Sequence, residues 1–328
     1  KPLRPSSSVA MSGTAPFLLL LAALPGLGAL VQRHVLREAS SPQRIINGTR
    51  IWTPSAKYSF HALPTIGPDS DTWLGCGASI ISPTFGVSAA HCFGGGLTPC
   101  AGASSIALWI GDAMLADDFS ITAWPGGKSY RLEADVICHP GFDGKCSHGN
   151  DIVLLALKSA LPDWVKPVPL NLNGDSDAEA VGEVTTDIGY GIAESPTNPQ
   201  FIDETRNSHT LRRVSLSILD DASASCARVY AGGYGCSDEF SEGEAKNINQ
   251  QVCAGATDAP ERDTCSGDSG SPMLNSNGVQ IGIVSYGGGP SEQLSGPGRE
   301  CADPDFPGVY TRVSAFKDFI EQNVKDLP

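Results

Sequence analysis

Residues 263–272 read Asp-Thr-Cys-Ser-Gly-Asp-Ser-Gly-Ser-Pro, so Ser269 stands between glycines, one residue after an aspartate and four after a cysteine. A serine hydroxyl is barely nucleophilic at neutral pH. It needs a general base within hydrogen-bond reach and a third group that orients the base. Gly-Asp-Ser-Gly by itself is also ordinary turn chemistry. Two distant segments supply the missing partners: Ser88-Ala89-Ala90-His91-Cys92, and Asn150-Asp151 at the head of the apolar run Ile152-Val153-Leu154-Leu155. A lone histidine is usually structural, but this one follows Ser-Ala-Ala and precedes a cysteine. A fold for this chain has to bring His91, Asp151 and Ser269 together.

The order His, Asp, Ser, together with these local contexts, resembles the trypsin and chymotrypsin-like serine proteases. The resemblance implies an all-β fold of two packed six-stranded antiparallel β-barrels with a C-terminal helix, the chain passing between barrels near residues 168–172. It implies that His91 takes the Ser269 proton, that Asp151 holds the imidazole in the needed tautomer, and that the Gly267 and Ser269 backbone amides form the oxyanion hole. Asp263 matches the floor of the primary pocket, where an acid selects Arg or Lys because a buried carboxylate is costly until a cation pairs with it. Gly287 and Gly308 match the pocket walls. Ser285 and Gly287 match the edge that adds an extended substrate as a strand.

The residues read independently agree with a β architecture. Runs at 106–110, 135–138, 152–157 and 279–286 are short and rich in β-branched or alternating apolar residues, punctuated by 37 Gly and 24 Pro. Val313, Phe316, Phe319, Ile320 and Val324 recur at helical spacing and predict one helix at the end of the chain.

At the amino end, Met11 is followed by an apolar stretch from Phe17 to Leu24 and then Pro25, Gly26 and Gly28. This reads as a signal peptide over residues 1–29, with those before Met11 not necessarily translated. The stretch is broken well short of the ~20 residues a spanning helix needs, so secretion is expected rather than membrane insertion. Residues 30–44 then read as an activation propeptide and 45–328 as the protease domain. By the resemblance, cleavage after Arg44 frees the Ile45 amino group, which turns inward to pair with Asp268, as a buried ammonium requires.

Ten cysteines fit an oxidising compartment. The family pattern implies Cys76 with Cys92, Cys226 with Cys253, and Cys265 with Cys301. Cys100, Cys138, Cys146 and Cys236 remain, with three connectivities open; the family's facing loops favour Cys146 with Cys236 and Cys100 with Cys138.

The chain departs from the family at Ser271, usually glycine, and at Tyr286, usually tryptophan. Thr185 and Asn275 stand where many relatives have a disulfide, and long insertions lie at 93–105, 193–209 and 287–301. Asp112 fits one ligand position of the calcium loop found in some relatives but lacks a carboxylate partner, so neither metal nor cofactor is expected. The net charge of −14 argues against nucleic acid and anionic membranes as partners. The expected partners are Arg- or Lys-containing proteins and peptides and protein protease inhibitors, met by a monomer outside the cell. Asn47-Gly48-Thr49 is a glycosylation tripeptide beside the expected new terminus. Two other readings are a protease-fold binding protein with little turnover and an active protease with altered primary specificity.

Overall fold

Alternation between buried and exposed side chains is clearest at Arg212–Ile218, where Arg212, Val214, Leu216 and Ile218 face inward and Arg213 and Ser215 face solvent. That period of two builds most of the molecule. The computed structural model describes residues 45–46, 48–51, 56–94, 105–192, 209–232, 247–257, 262–288 and 301–328. The leader, Arg44, Asn47, Cys100, Cys236 and most of the three insertions lie outside the described residues.

The first half supplies β2 (His61–Pro64), β3 (Ala78–Ile80), β4 (Phe85–Ser88), β5 (Ser105–Gly111), β8 (Ser129–Cys138) and β9 (Val153–Leu157), after a short β1 (Thr49–Arg50). These six strands close into an antiparallel barrel in the order β2-β3-β4-β9-β8-β5. A hairpin of β6 (Ala113–Leu115) and β7 (Ile121–Ala123) stands beside it. The second half supplies β10 (Val184–Gly189), β11 (Arg212–Ile218), β12 (Gln251–Gly255), β13 (Pro272–Leu274), β14 (Gln280–Tyr286) and β15 (Gly308–Arg312). Their order is β11-β10-β13-β14-β15-β12, and pairing of Ser217 with Gly255 and Ile218 with Ala254 closes the ring. β1 adds to β11 from outside the ring. The expected pair of six-stranded barrels is therefore present.

Residues 168–171 bond to both barrels: Val168 N donates to Ile80 O at 2.9 Å, and Asn171 N donates to Gln280 O at 3.0 Å. The C-terminal helix begins as a 3-10 turn, Val313–Phe316, and becomes α-helical only as α2 (Lys317–Asn323). Val313, Phe316, Ile320 and Val324 are buried, as their spacing predicts, in an apolar cluster that holds the first barrel's core together with Ile188, Leu274 and Ile283 of the second. The polypeptide leaves the second barrel at β15 and returns to the first half, where Phe316 and Phe319 meet the His139 ring. A further helix, α1 (Ala224–Gly232), is fastened to β12 by the Cys226–Cys253 disulfide.

The two positions that lack the family disulfide have other uses. Thr185 Oγ1 donates to Asp187 Oδ2 at 2.8 Å. Asn275 Oδ1 accepts from Asn277 N and Val279 N, which shapes the turn between β13 and β14.

Candidate active site

His91 lies in a 3-10 turn, Ala90–Phe93, directly after β4, and the Cys76–Cys92 disulfide fastens that turn with Cα atoms 6.3 Å apart. Asp151 lies just before β9. Because β4 pairs with β9 through Ser88 and Val153, strand register alone carries the aspartate to the histidine. Asp151 Oδ1 accepts His91 N at 2.9 Å, and Oδ2 meets Nδ1 at 2.8 Å. This leaves Nε2 as the imidazole nitrogen not engaged by Asp151. The second barrel secures the same aspartate: Ser285 Oγ donates to Oδ2 at 2.6 Å and Thr311 Oγ1 donates to the Asp151 carbonyl at 2.9 Å. Burial alone would raise the carboxyl pKa, but the His91 charge and the hydrogen bonds from His91 and Ser285 outweigh it and leave it lowered. Asp151 is thus an almost fully buried carboxylate held against His91 Nδ1.

The Ser269 loop is pressed against the first barrel. Gly77 N donates to Ser269 O at 2.7 Å, and Gly270 N donates to Val284 O at 2.8 Å. Gly270 has φ 79°, and a Cβ there would lie 2.2 Å from Ser88 Oγ and 2.5 Å from the Gly77 carbonyl oxygen. Only glycine permits that approach to the residues immediately preceding His91. Among the described residues Ser269 Oγ makes no hydrogen bond to His91, and the Gly267 and Ser269 amides have no acceptor. Two unengaged N–H groups therefore flank the serine. Catalytic hydrogen bonds of this kind are often long until a substrate aligns them.

Asp268 has no exposed surface. Its Oδ1 accepts Gly191 N at 2.8 Å and its Oδ2 accepts Cys265 N at 3.0 Å. A Cβ at Gly189 or Gly191 would come within 2.1 or 2.5 Å of this carboxyl, so both glycines make room for it. Burial raises its pKa to about 7 against the opposing pull of the two amides. Ile45 and Ile46 are fully buried, Ile45 packing with Val214, Met273 and Tyr310. Ile45 also has φ 52°, a left-handed conformation that a β-branched residue seldom adopts.

Asp263 is 4 % exposed and accepts Thr264 N at 2.8 Å and Ala302 N at 3.0 Å. Ala302 takes a positive φ of 64°. Burial raises the Asp263 pKa to about 7, the two amides oppose this, and the Asp268 charge adds to it. Among the described residues Asp263 has no cationic partner. A Cβ on Gly308 would stand 3.3 Å from Asp263 Oδ1, and one on Gly287 would stand 3.1 Å from Gly308 Cα. Side chains at either position would crowd the approach to the acid.

At Ser285 the pairing of β14 with β15 skips a residue, from Val284 opposite Tyr310 to Tyr286 opposite Val309. This bulge turns the Ser285 backbone out of the ladder, as strand addition by a substrate requires. The side-chain bond from Ser285 to Asp151, and that from Thr311, are not apparent from the sequence, where both are unremarkable strand residues. Tyr286 donates to Gln251 Oε1 at 2.7 Å, and Ser271 Oγ faces His61 Nε2 at 3.5 Å behind the serine loop. The Asp112 carboxylate accepts Lys128 N at 3.0 Å and so closes a turn. The disulfides Cys76–Cys92, Cys226–Cys253 and Cys265–Cys301 are all formed. Cys138 and Cys146 are each disulfide-bonded, with partners outside the described residues.

Comparison with known proteins gives the same family. The family model described as Trypsin matches residues 56–320. Human kallikrein-12 is 29 % identical over 89 % of this chain and 94 % of its own length. Trypsin of Squalus acanthias is 28 % identical over 84 % of this chain and 91 % of its own. The solved structure of neuropsin, a serine protease expressed in the limbic system of mouse brain, superposes with TM-score 0.60 at 23 % identity. It covers 85 % of this chain and 99 % of the neuropsin chain. The chain belongs to the trypsin family, and it is a serine endopeptidase acting on protein substrates.

Proposed function

We propose that this chain is the zymogen of a secreted endopeptidase that cleaves after Arg or Lys. The observation that carries the specificity is Asp263: a buried carboxyl beside Gly308, with two backbone amides as partners and, among the described residues, no cation. An arginine or lysine side chain would complete that site.

In the reaction, Ser269 Oγ attacks the carbonyl carbon while its proton passes to His91 Nε2, and Asp151 stabilises the imidazolium. The Gly267 and Ser269 amides receive the oxyanion; removal of one such donor costs about 3 kcal/mol of transition-state stabilisation. His91 then protonates the departing amine, and water, deprotonated by the same histidine, releases the acyl group from Ser269.

Activation follows from Ile45 and Asp268. The strained backbone at Ile45, of order 1–3 kcal/mol, relaxes once the bond after Arg44 is cut. The new ammonium then has Asp268 as the buried anion it requires. The Asp263 site and the strand edge at Ser285 bind extended peptides, protein inhibitors among them, and the chain acts as a monomer outside the cell. Among the described residues no helix is long and apolar enough to cross a membrane.

Matched chromogenic peptides ending in Arg, Lys, Phe or Ala test this directly, using protein processed after Arg44. Arg and Lys peptides are hydrolysed, Ser269→Ala abolishes turnover, and Asp263→Ser lowers kcat/KM on the cationic peptides by at least ~100-fold, since an unpaired cation is costly to bury. Preferred turnover of Phe or Ala peptides would keep the protease and remove the pocket assignment.

A further inference from the structure

The segment that delivers Asp151 to His91 has an unusual backbone. Gly149 has φ 80° and Asn150 has φ 59°, so two successive residues take positive φ immediately before the aspartate. Asparagine is one of the few side chains that adopts this conformation routinely. The Ile152 amide donates to the Asn150 carbonyl at 2.8 Å, which makes Asp151 the middle residue of a tight turn. A turn that shifted would carry the carboxylate away from the imidazole, so whatever fixes Asn150 also fixes the His91–Asp151 pair.

The fixing groups come from the other barrel, at the entry to β12. Gln250 ends the 3-10 turn Ile248–Gln250, and its carboxamide meets Asn150 twice: Oε1 accepts Asn150 N at 3.0 Å, and Nε2 donates to Asn150 Oδ1 at 3.3 Å. Asn150 Nδ2 donates to Gly141 O at 3.0 Å, which sets the orientation of the asparagine amide. On either side of Gln250, Asn247 Nδ2 donates to His148 O at 2.8 Å and Gln251 Nε2 donates to Ser147 O at 3.2 Å. Three side chains of one short stretch thus clasp the backbone that leads to Asp151. A Cβ on Gly149 would lie 2.4 Å from Gln250 Oε1, so the glycine admits the glutamine this closely. Gln251 Oε1 also accepts the Tyr286 hydroxyl at 2.7 Å, which ties the clasp to β14. Ser285 and Thr311 hold Asp151 itself, whereas Gln250 holds the residue before it.

We propose that Gln250 is a positioning residue for catalysis: through its two bonds to Asn150 it sets the direction from which the Asp151 carboxylate meets His91 Nδ1. It touches neither substrate nor reacting atoms, and it acts through Asn150 alone. Its loss lets Asn150 N and Oδ1 turn to water and loosens the turn around Asp151. The stabilisation of the imidazolium then weakens, while the serine loop and the Asp263 site are unchanged. The inference rests on the reading of Asp151 as the orienting acid of the triad.

The test is a double-mutant cycle on protein processed after Arg44, using the chromogenic peptide that the parent cleaves fastest. Gln250→Met keeps the length of the side chain and removes both bonds. It lowers kcat by roughly 10- to 100-fold, as a small misplacement of a catalytic group does, and leaves KM unchanged. The acid limb of kcat/KM moves to lower pH, because an imidazolium facing a less firmly held carboxylate gives up its proton more readily. Asp143, Lys145 and His148, the neighbouring titratable residues of the same segment, are unaltered in every variant. Gln250→Glu keeps an acceptor for Asn150 N and recovers part of kcat. Gln250→Ala removes the same bonds by truncation at a part-exposed position and keeps the test open if the methionine variant does not fold. In an Asp151→Asn background, Gln250→Met costs no further activity, since the two residues act as a unit. An unchanged kcat, a loss of kcat with the acid limb unmoved, or an equal further loss in the Asp151→Asn background overturns the role of Gln250 and leaves the triad intact. An Asp151→Asn chain as active as the parent overturns both.

Discussion

The chemistry of single residues here is set by what lies behind them. Asp151 is held on both oxygens by groups from two barrels, so Asp151→Asn is expected to fold normally and lose about 10⁴-fold in kcat, by reversing the tautomer of His91. Peptide turnover together with an unchanged thermal midpoint checks this. Gly270→Ala should also abolish turnover, because its Cβ would overlap Ser88 Oγ and the Gly77 carbonyl; a variant with normal kcat would show that the serine loop need not press on the histidine turn. His91, Asp151, Ser269 and Asp263 are legible in the sequence because each sits in a short local pattern. The side-chain bonds of Ser285 and Thr311 to Asp151 are not: they join residues 134 and 160 apart in the chain, and no local pattern marks either hydroxyl as a partner of the aspartate.

At the scale of elements, period-two alternation identifies strands such as β11, and turn residues mark their ends. Closure of the rings is less legible, because it depends on register between β11 and β12 and on bulges such as the one at Ser285. β1, only two residues long, carries no periodic signal. The terminal helix is foreseen on its buried face but starts later than its apolar spacing suggests. The chain enters it from the extended Arg312 through a 3-10 turn. α2 packs its fully buried Ile320 into the large apolar cluster shared by the two barrels. Ile320→Ala should therefore destabilise by about 2–5 kcal/mol, the range for a fully buried large-to-small change. A lower urea midpoint with an unchanged slope would show this, and an unaltered midpoint would mean that the helix end is not part of the cooperative core.

Across the whole molecule, buried carboxyls with no cation among the described residues make the uncleaved chain sensitive to pH. Asp187, Asp263 and Asp268 hold their protons to about 8, 7 and 7 when folded, against about 4 in an unfolded chain. The stability they confer is complete below about 4 and is lost as pH rises through about 7 and then 8. Burial of His61 pulls its pKa down to about 3, which raises stability with pH, but only up to about 6.5. Between pH 6.5 and 8.5 the carboxyls therefore dominate among these groups, and the thermal midpoint of the uncleaved Ser269→Ala chain should fall. The fall should be shallower in a chain that also carries Asp187→Asn, and shallower again after cleavage at Arg44 supplies an ammonium to Asp268. A midpoint that rises over this range would contradict the assignment of these acids as protonated. The most direct single measurement is active-site titration with the nitrophenyl ester of guanidinobenzoic acid, which carries both a cation for Asp263 and an acyl group for Ser269. The account predicts a burst of about one nitrophenol per chain, with the acyl group on Ser269, after cleavage at Arg44 and none before it. No burst from the cleaved chain, or acylation of any other residue, would contradict it.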